Sequence, residues 1–209
     1  MQLAEQYTTV RREAHVEFEE KRSLFIGHAI HVDSEEEALA FIKQIKKKYS
    51  DATHNCFAYL LKGGIVARYS DDGEPQGTAG VPMLEAIRKS GVSDVCVVAT
   101  RYFGGILLGA GGLVRAYSHS AAIAIEGAEI VTYEPYAMFE LKCGYSEYQK
   151  YSNLLSQMSA VIDETEFAAD VTVRFAIRRD RASSLLEKIN EVGFGRDVPI
   201  TLGERFDCR

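Results

Sequence analysis

Residues 95–117 read VCVVATRYFGGILLGAGGLVRAY, and this stretch organises the N-terminal part of the chain. Its first six residues, 95–100, form an almost continuous apolar run, which is typical of a strand buried on both faces. The residues from about 112 to 126 have the spacing of a helix, and a glycine-rich loop joins the two elements. The stretch therefore predicts a β–loop–α unit, and its loop is a candidate binding site.

A second polar, glycine-rich loop precedes it, SDDGEPQGTAG at residues 70–80. Eleven of the chain's 17 glycines lie between Gly63 and Gly112. Because glycine loses more conformational entropy on folding than any other residue, such a cluster indicates unusual backbone angles or the close approach of another group. Thr78 is predicted as the N-cap of a helix that runs through residue 89 and ends at Gly91.

The other N-terminal elements follow from periodicity and turn residues. Two extended segments, 8–18 and 22–31, are predicted to pair, and Asp33 or Ser34 is predicted to cap a helix that runs to about residue 49. A hairpin is predicted over residues 53–69. A short strand over residues 129–133 is predicted to complete the N-terminal unit, which ends at Pro135.

The C-terminal part has the predicted order βαββαβ, which is the ferredoxin-like plan. The fold class predicted for the whole chain is therefore α+β. It combines a two-layer α/β domain at residues 1–134 with a ferredoxin-like domain at residues 135–209. No low-complexity linker separates the two.

Length and composition exclude several classes of protein. The chain has 209 residues and a net charge of −6, so it is not the strongly basic body of a dedicated nucleic-acid binder. No run approaches the ~18 apolar residues of a membrane span, and the N-terminus lacks the features of a secretory signal. The four cysteines are dispersed and indicate reduced thiols. We therefore expect a cytoplasmic protein with no membrane partner, while the oligomeric state is left open.

Three carboxylates crowd the first loop: Asp71, Asp72 and Glu74. Divalent cations prefer clustered oxygens, so one hypothesis is a metal-assisted hydrolase that uses these acids, with His54 nearby. A turn with Asp and Gly in their usual places explains the same residues without a metal. His54 also shares a strand face with Cys56, but no third orienting residue is evident, which favours a structural His and a core Cys.

Both loops lead into helix N-termini, at residues 77–80 and 109–112, where free N–H groups and the helix dipole favour anions. Neither matches a P-loop or the dinucleotide fingerprint. The two interpretations left open are a phosphate or carboxylate site and tight packing of helix against sheet. The candidate ligand-contacting residues are Gly77, Thr78, Arg101, Tyr102, Gly104, Gly105, Gly111 and Arg115.

Arg101 and Arg115 bracket the second loop. Arginine suits phosphate or carboxylate, and Tyr102 and Phe103 are able to stack on a base. Alternatively, Arg101 pairs with an acid of the first loop and ties the two loops together.

The two loops resemble the signature blocks of the YigZ/IMPACT family. The resemblance rests on residues 70–80 and 100–117, and it extends to Lys21-Arg22-Ser23-Leu24-Phe25 and His54-Asn55-Cys56-Phe57-Ala58-Tyr59. It covers the whole chain, including a C-terminal domain of the bacterial type.

The resemblance implies an N-terminal domain folded like the second domain of a small-subunit ribosomal protein. It implies a C-terminal domain similar to the last domain of elongation factor G. The eukaryotic relatives are translational regulators, so the resemblance also implies a link to translation. We expect a non-enzymatic regulator that contacts RNA or a ribosome-associated protein through residues 101–115, with the hydrolase as the alternative.

Overall fold

The computed structural model describes residues 6–208. Its contacts divide it into two compact units, one formed by Tyr7–Thr132 and the other by Gln6 with residues 133–208. The strands of the first unit are β1 (Tyr7–Val10), β2 (Ala14–Glu20), β3 (Ser23–His31), β4 (His54–Leu61), β5 (Val66–Ser70) and β6 (Val95–Tyr102). Its helices are α1 (Glu35–Lys48), α2 (Gly80–Ser90) and α3 (Ala110–Gly127).

Strand β6 lies at the centre of an antiparallel sheet with the order β2-β3-β6-β4-β5. Val95, Val97 and Ala99 point into a core shared with α2 and α3, while Cys96 and Val98 belong to a second core against α1. The prediction of a strand buried on both faces is confirmed. The α+β class is also confirmed, and α1 adds a third layer to the two that were predicted.

The ends of α1 and the C-terminal end of α2 follow local rules. The Ser34 hydroxyl accepts a hydrogen bond from the Glu37 N–H at 3.2 Å, so Ser34 is the N-cap of α1. Lysines fill its last turn, where cations complement the helix dipole. Helix α2 ends at Gly91 as predicted, and this residue is left-handed with a φ of 74°.

The second unit contains β7 (Ile130–Cys143) from residue 133 onward, α4 (Tyr145–Gln157), β8 (Val161–Phe167), β9 (Val171–Arg178), α5 (Arg179–Gly193) and β10 (Ile200–Asp207). The strands pair in the order β10-β7-β9-β8, all antiparallel, which is the predicted ferredoxin-like plan. The helices pack their apolar sides on one face of the sheet around Leu155 and Leu185. Within residues 6–208, no helix is long and apolar enough to cross a membrane.

The predicted break at Pro135 is wrong, because β7 runs through it as one strand. Proline cannot donate to a ladder, so it is tolerated where a strand has a neighbour on one side. Pro135 pairs with Phe206 of β10, whereas the pairing of β7 with β9 begins one residue later, at Tyr136. Pro135 therefore lies just outside the part of β7 that pairs with β9.

Candidate functional site

Asp71 occupies the N-terminus of α2. One carboxylate oxygen, Oδ1, accepts hydrogen bonds from the N–H groups of Ala79 at 3.0 Å and Gly80 at 2.8 Å, and Oδ2 accepts one from Gly77 at 2.8 Å. Burial raises the pKa of this carboxyl, but the three backbone hydrogen bonds more than offset it, so the net direction is downward. The anion expected at this helix start is therefore a side chain of the chain itself.

Thr78 is not the N-cap of α2, and that prediction was wrong. The helix begins at Gly80, and its cap position, Ala79, has no side-chain hydrogen bond. The Thr78 hydroxyl instead donates to the Pro75 carbonyl at 2.6 Å. Because Asp71 already satisfies the free N–H groups, no cap from Thr78 is needed.

Asp72 ties the first loop to its surroundings. Its carboxylate accepts from Lys46 Nζ at 2.6 Å through Oδ1 and from the Asn55 N–H at 2.7 Å through Oδ2. The backbone at Asp72 is left-handed, with a φ of 45°, and Gly73 continues the turn with a φ of 88°. The His54 ring donates from Nδ1 to the Asp72 carbonyl at 2.8 Å, because a carbonyl can only accept. This hydrogen bond fixes the orientation of the His54 ring against the turn.

Glu74 and Arg101 form a buried ion pair between the two loops. Arg101 Nη1 donates to Glu74 Oε1 at 2.6 Å, and the side chains are 6% and 4% exposed. The Tyr117 hydroxyl donates to the same oxygen at 2.7 Å. Arg101 is therefore paired with an acid of the first loop, which is one of the two alternatives that the sequence left open. Arg101 Nη2 donates to Ser23 Oγ at 3.3 Å, but Nε is buried and has no hydrogen-bond partner among the described residues.

Cys56 is held away from nucleophilic chemistry. Its thiol donates to the Asp71 carbonyl at 2.9 Å, and burial raises its pKa to about 12. The thiolate is the reactive form of cysteine, so this side chain is inert at neutral pH. The interpretation of Cys56 as a core residue fits this environment.

The three carboxylates of the first loop do not converge. Asp71 faces backbone N–H groups, Asp72 faces a lysine, and Glu74 faces an arginine and a tyrosine. Over residues 6–208, no group of three His, Cys, Asp or Glu side chains is placed to hold a metal ion. Each of these three carboxylates is therefore bound to a different partner in the folded chain.

The second loop is packed tightly at its start. A Cβ atom on Gly104 would lie 1.9 Å from the Arg22 carbonyl oxygen, so only glycine fits there. Gly105 is left-handed, with a φ of 84°. The Tyr102 hydroxyl donates to Asp51 at 2.9 Å, which orients that ring. The glycines of this loop thus serve packing and backbone geometry.

The start of α3 differs from that of α2. Its cap residue, Gly109, has a φ of 72° and makes no side-chain cap hydrogen bond within the described chain, and the first turn has no acidic residue. Gly111 is exposed, and Arg115 Nη1 is the nearest atom, at 3.7 Å, to the position of a Cβ there. The first N–H groups of α3 therefore have no acceptor from the cap residue, and the positive end of the helix dipole is accessible there.

A cleft of about 420 Å³ lies beside this helix start. His54, Glu74 and Arg101 line it, and Phe103, Leu107 and Leu113 are among its apolar walls. Asp71, Asp72, Gly77 and Thr78 are not among the lining residues. The sequence pointed to Phe103 but not to Leu107 or Leu113, and the available signal for Leu107 was an apolar run, Ile106-Leu107-Leu108, inside a glycine-rich loop.

Comparisons with known proteins cover both units. Residues 21–125 match the family described as the Impact N-terminal domain, and residues 141–196 match a domain of unknown function, DUF1949. The chain is 36% identical over 191 residues to the IMPACT family member YvyE of Bacillus subtilis, covering 91% of this chain and 88% of that protein. It is 34% identical to the IMPACT family member YigZ of Escherichia coli, covering 84% and 87%.

More distant and structural relatives agree. A protein IMPACT homolog from Dictyostelium discoideum is 42% identical over 105 residues, which is 48% of this chain and 29% of that protein. A crystal structure of a hypothetical protein aligns with a TM-score of 0.61 at 32% identity, covering 96% of this chain and 98% of its own. These similarities span the residues that build the cleft.

Proposed function

Because this chain belongs to the IMPACT family, we propose that it is a regulatory binding protein of the translation machinery, and that its partner there is a protein. The observation that carries the proposal is an exposed apolar surface at the open start of α3. We call it the loop–α3 surface, and it consists of Phe103, Ile106, Leu107 and Val114. Leu107 is 82% exposed and Phe103 is 44% exposed.

Large apolar side chains cost free energy in water, and a group of them indicates an interaction site. The four residues come from one loop and from the first turns of the helix that follows it. They adjoin the apolar walls of the cleft, because Phe103 and Leu107 belong to both. The surface thus offers a partner an apolar contact with an entry for a side chain.

The same surface is poorly suited to RNA. Phosphate contacts need several free lysine or arginine side chains. Arg101 is buried and neutralised by Glu74, which leaves Arg115 as the exposed arginine of residues 101–115. The net charge of −6 adds no general attraction for nucleic acid. These features favour a translation factor or ribosomal protein over RNA.

The test is co-sedimentation of the purified chain with ribosomal subunits and translation factors. Leu107→Ser is expected to reduce binding at least about tenfold, because it removes an apolar anchor from the interface. Leu39→Ser is the matched control, since Leu39 is an exposed leucine on α1.

Wild-type binding should change little between low and moderate salt. Binding that falls steeply with salt, is lost in Arg115→Ala and survives in Leu107→Ser would replace the protein partner with RNA. If the wild type does not co-sediment with ribosomal subunits or translation factors, the proposed function is wrong.

A further inference from the structure

We propose that the cleft beside α3 is a carboxylate site that receives the C-terminal end of a peptide with an apolar last residue. This inference rests on the proposed function, because it names the part of a protein partner that the site would take. The proposed site differs in chemistry from the loop–α3 surface, because it consists of the hydrogen-bond donors that line the cleft.

The first set of donors is the open start of α3. Gly109 and Ala110 line the cleft, and they are the cap and first residue of an 18-residue helix. The cap residue, Gly109, has no side chain to accept from these N–H groups, and the first turn of the helix has no acidic residue. Helix N-termini of this kind bind anions through their N–H groups and dipole.

The second donor is independent of the helix. Arg101 lines the same cleft, its side chain is 6% exposed, and its Nε has no hydrogen-bond partner among residues 6–208. A buried donor left unsatisfied on a charged group costs free energy, and a missing ligand is one physical explanation for it. Arg101 Nη1 and Nη2 already donate to Glu74 and Ser23, so an acceptor that reaches Nε would complete the hydrogen bonding of the guanidinium.

The chain itself shows which group fits such a helix start. At α2, a carboxylate accepts hydrogen bonds from three N–H groups, those of Gly77, Ala79 and Gly80. The start of α3 has the same kind of glycine-rich approach, but the carboxylate in the cleft lining, Glu74, accepts hydrogen bonds from Arg101 and Tyr117 instead. A carboxylate supplied by a ligand would take the corresponding place.

The rest of the cleft selects an apolar monoanion. Glu74 lies in its lining, and its negative charge disfavours a doubly charged phosphate more than a single carboxylate. Pro75, Phe103, Leu107 and Leu113 provide an apolar wall. The volume of about 420 Å³ lies in the range typical of small-ligand sites, about 300–1,000 Å³. A chain-terminal carboxylate with a leucine-like side chain meets all three conditions.

The experiment is calorimetric titration of the full chain with N-acetyl-leucine, N-acetyl-leucinamide and inorganic phosphate. The acid is expected to bind in the millimolar range and at least about tenfold more tightly than the amide, because hydrogen bonds to a charged acceptor are stronger than those to a neutral one. Phosphate is expected to bind more weakly than the acid.

Two variants locate the site. Ala110→Pro removes one N–H from the first helical position, where proline fits, and is expected to weaken acid binding about tenfold; Ala110→Ser keeps the N–H and serves as the control. Gly111→Asp places a carboxylate at the helix start and is expected to abolish acid binding. Equal affinity for acid and amide, tighter binding of phosphate or a short oligouridylate, or an unchanged Ala110→Pro would each overturn the inference. These titrations use the chain alone, so acid-selective binding without co-sedimentation would refute only the proposed function.

Discussion

Helices α2 and α3 both follow a glycine-rich loop, but the N–H groups at their N-termini have different surroundings. Both helices begin against the same core. At α2, Asp71 fills the anion position from within the chain, and Gly80 is pressed against Ser70. At α3, the cap residue Gly109 has no side chain, and Gly111 is exposed with Arg115 Nη1 at 3.7 Å from the position of a Cβ. The comparison teaches that a helix start becomes a candidate site only where the chain does not satisfy it.

The largest expected effect comes from the ion pair that joins the two loops. Glu74→Gln would leave the Arg101 charge buried without its counter-charge, and we expect a loss of about 3–5 kcal/mol in the free energy of unfolding. Urea denaturation measures it. The double variant Glu74→Gln/Arg101→Met should lose less than Glu74→Gln alone, since it removes the stranded charge. If the single and the double variant lose the same free energy of unfolding, the Glu74–Arg101 ion pair does not hold the two loops together.

The next effect breaks the α2 side of the comparison. Asp71→Ala removes the acceptor of three backbone N–H groups, and we expect a loss of about 2 kcal/mol. Asp71→Asn keeps one acceptor oxygen and should lose about half as much. Thermal and urea unfolding of the two variants provide the measurement. A loss of a few tenths of a kcal/mol in Asp71→Ala would show that α2 does not depend on its internal anion.

The same carboxylate predicts a pH dependence. The pKa of Asp71 is lowered in the folded chain from its ordinary value of 3.8. Its contribution to stability is therefore complete above pH 3.8 and is lost as the pH falls through the lower folded value. The stability advantage of wild type over Asp71→Asn should thus be constant from neutral pH to about pH 5 and shrink in more acid solution. An advantage that grows on acidification would contradict the assignment.

Two glycine substitutions compare the helix starts directly, and the second of them has the smallest expected effect. A Cβ at Gly80 would lie 2.9 Å from the Ser70 backbone N, so Gly80→Ala should destabilise the chain by about 1–3 kcal/mol. Gly111→Ala has room and should stabilise it by about 0.4–1 kcal/mol, because alanine has less entropy to lose on folding. Melting temperatures of the two variants are the measurement. Shifts of the same sign would remove the contrast between the helix starts.

Local signals in the sequence were sufficient for most elements of the fold. Ser34 lies three residues before Glu37, and apolar residues at helical spacing follow at once in α1. The cap and the helix are therefore encoded within a few residues. The both-faces burial of β6 is likewise evident in its apolar run. These elements depend on neighbours in sequence, which is why their prediction succeeded.

The two wrong predictions have different causes. One involves a contact between residues that are distant in sequence, and the other involves a proline at a position where its strand does not pair with β9. Thr78 has the right residue type for a cap, but Asp71 reaches the same N–H groups from seven residues earlier. Pro135 has the right type for a break, but it lies where β9 does not yet pair with β7. For the site, the sequence identified Arg101 and Glu74 but left open whether they bind each other or a ligand. Only burial and distance decide such a question.

Strand β6 has a further consequence for how the first unit comes apart. Its side chains belong alternately to the core under α2 and α3 and to the core under α1, and β3 and β4 flank it. Neither helix layer can separate without exposing one face of this strand to water. Amide hydrogens of β6 should therefore exchange with solvent only when the whole unit opens, while those of the edge strand β5 exchange through smaller, local fluctuations.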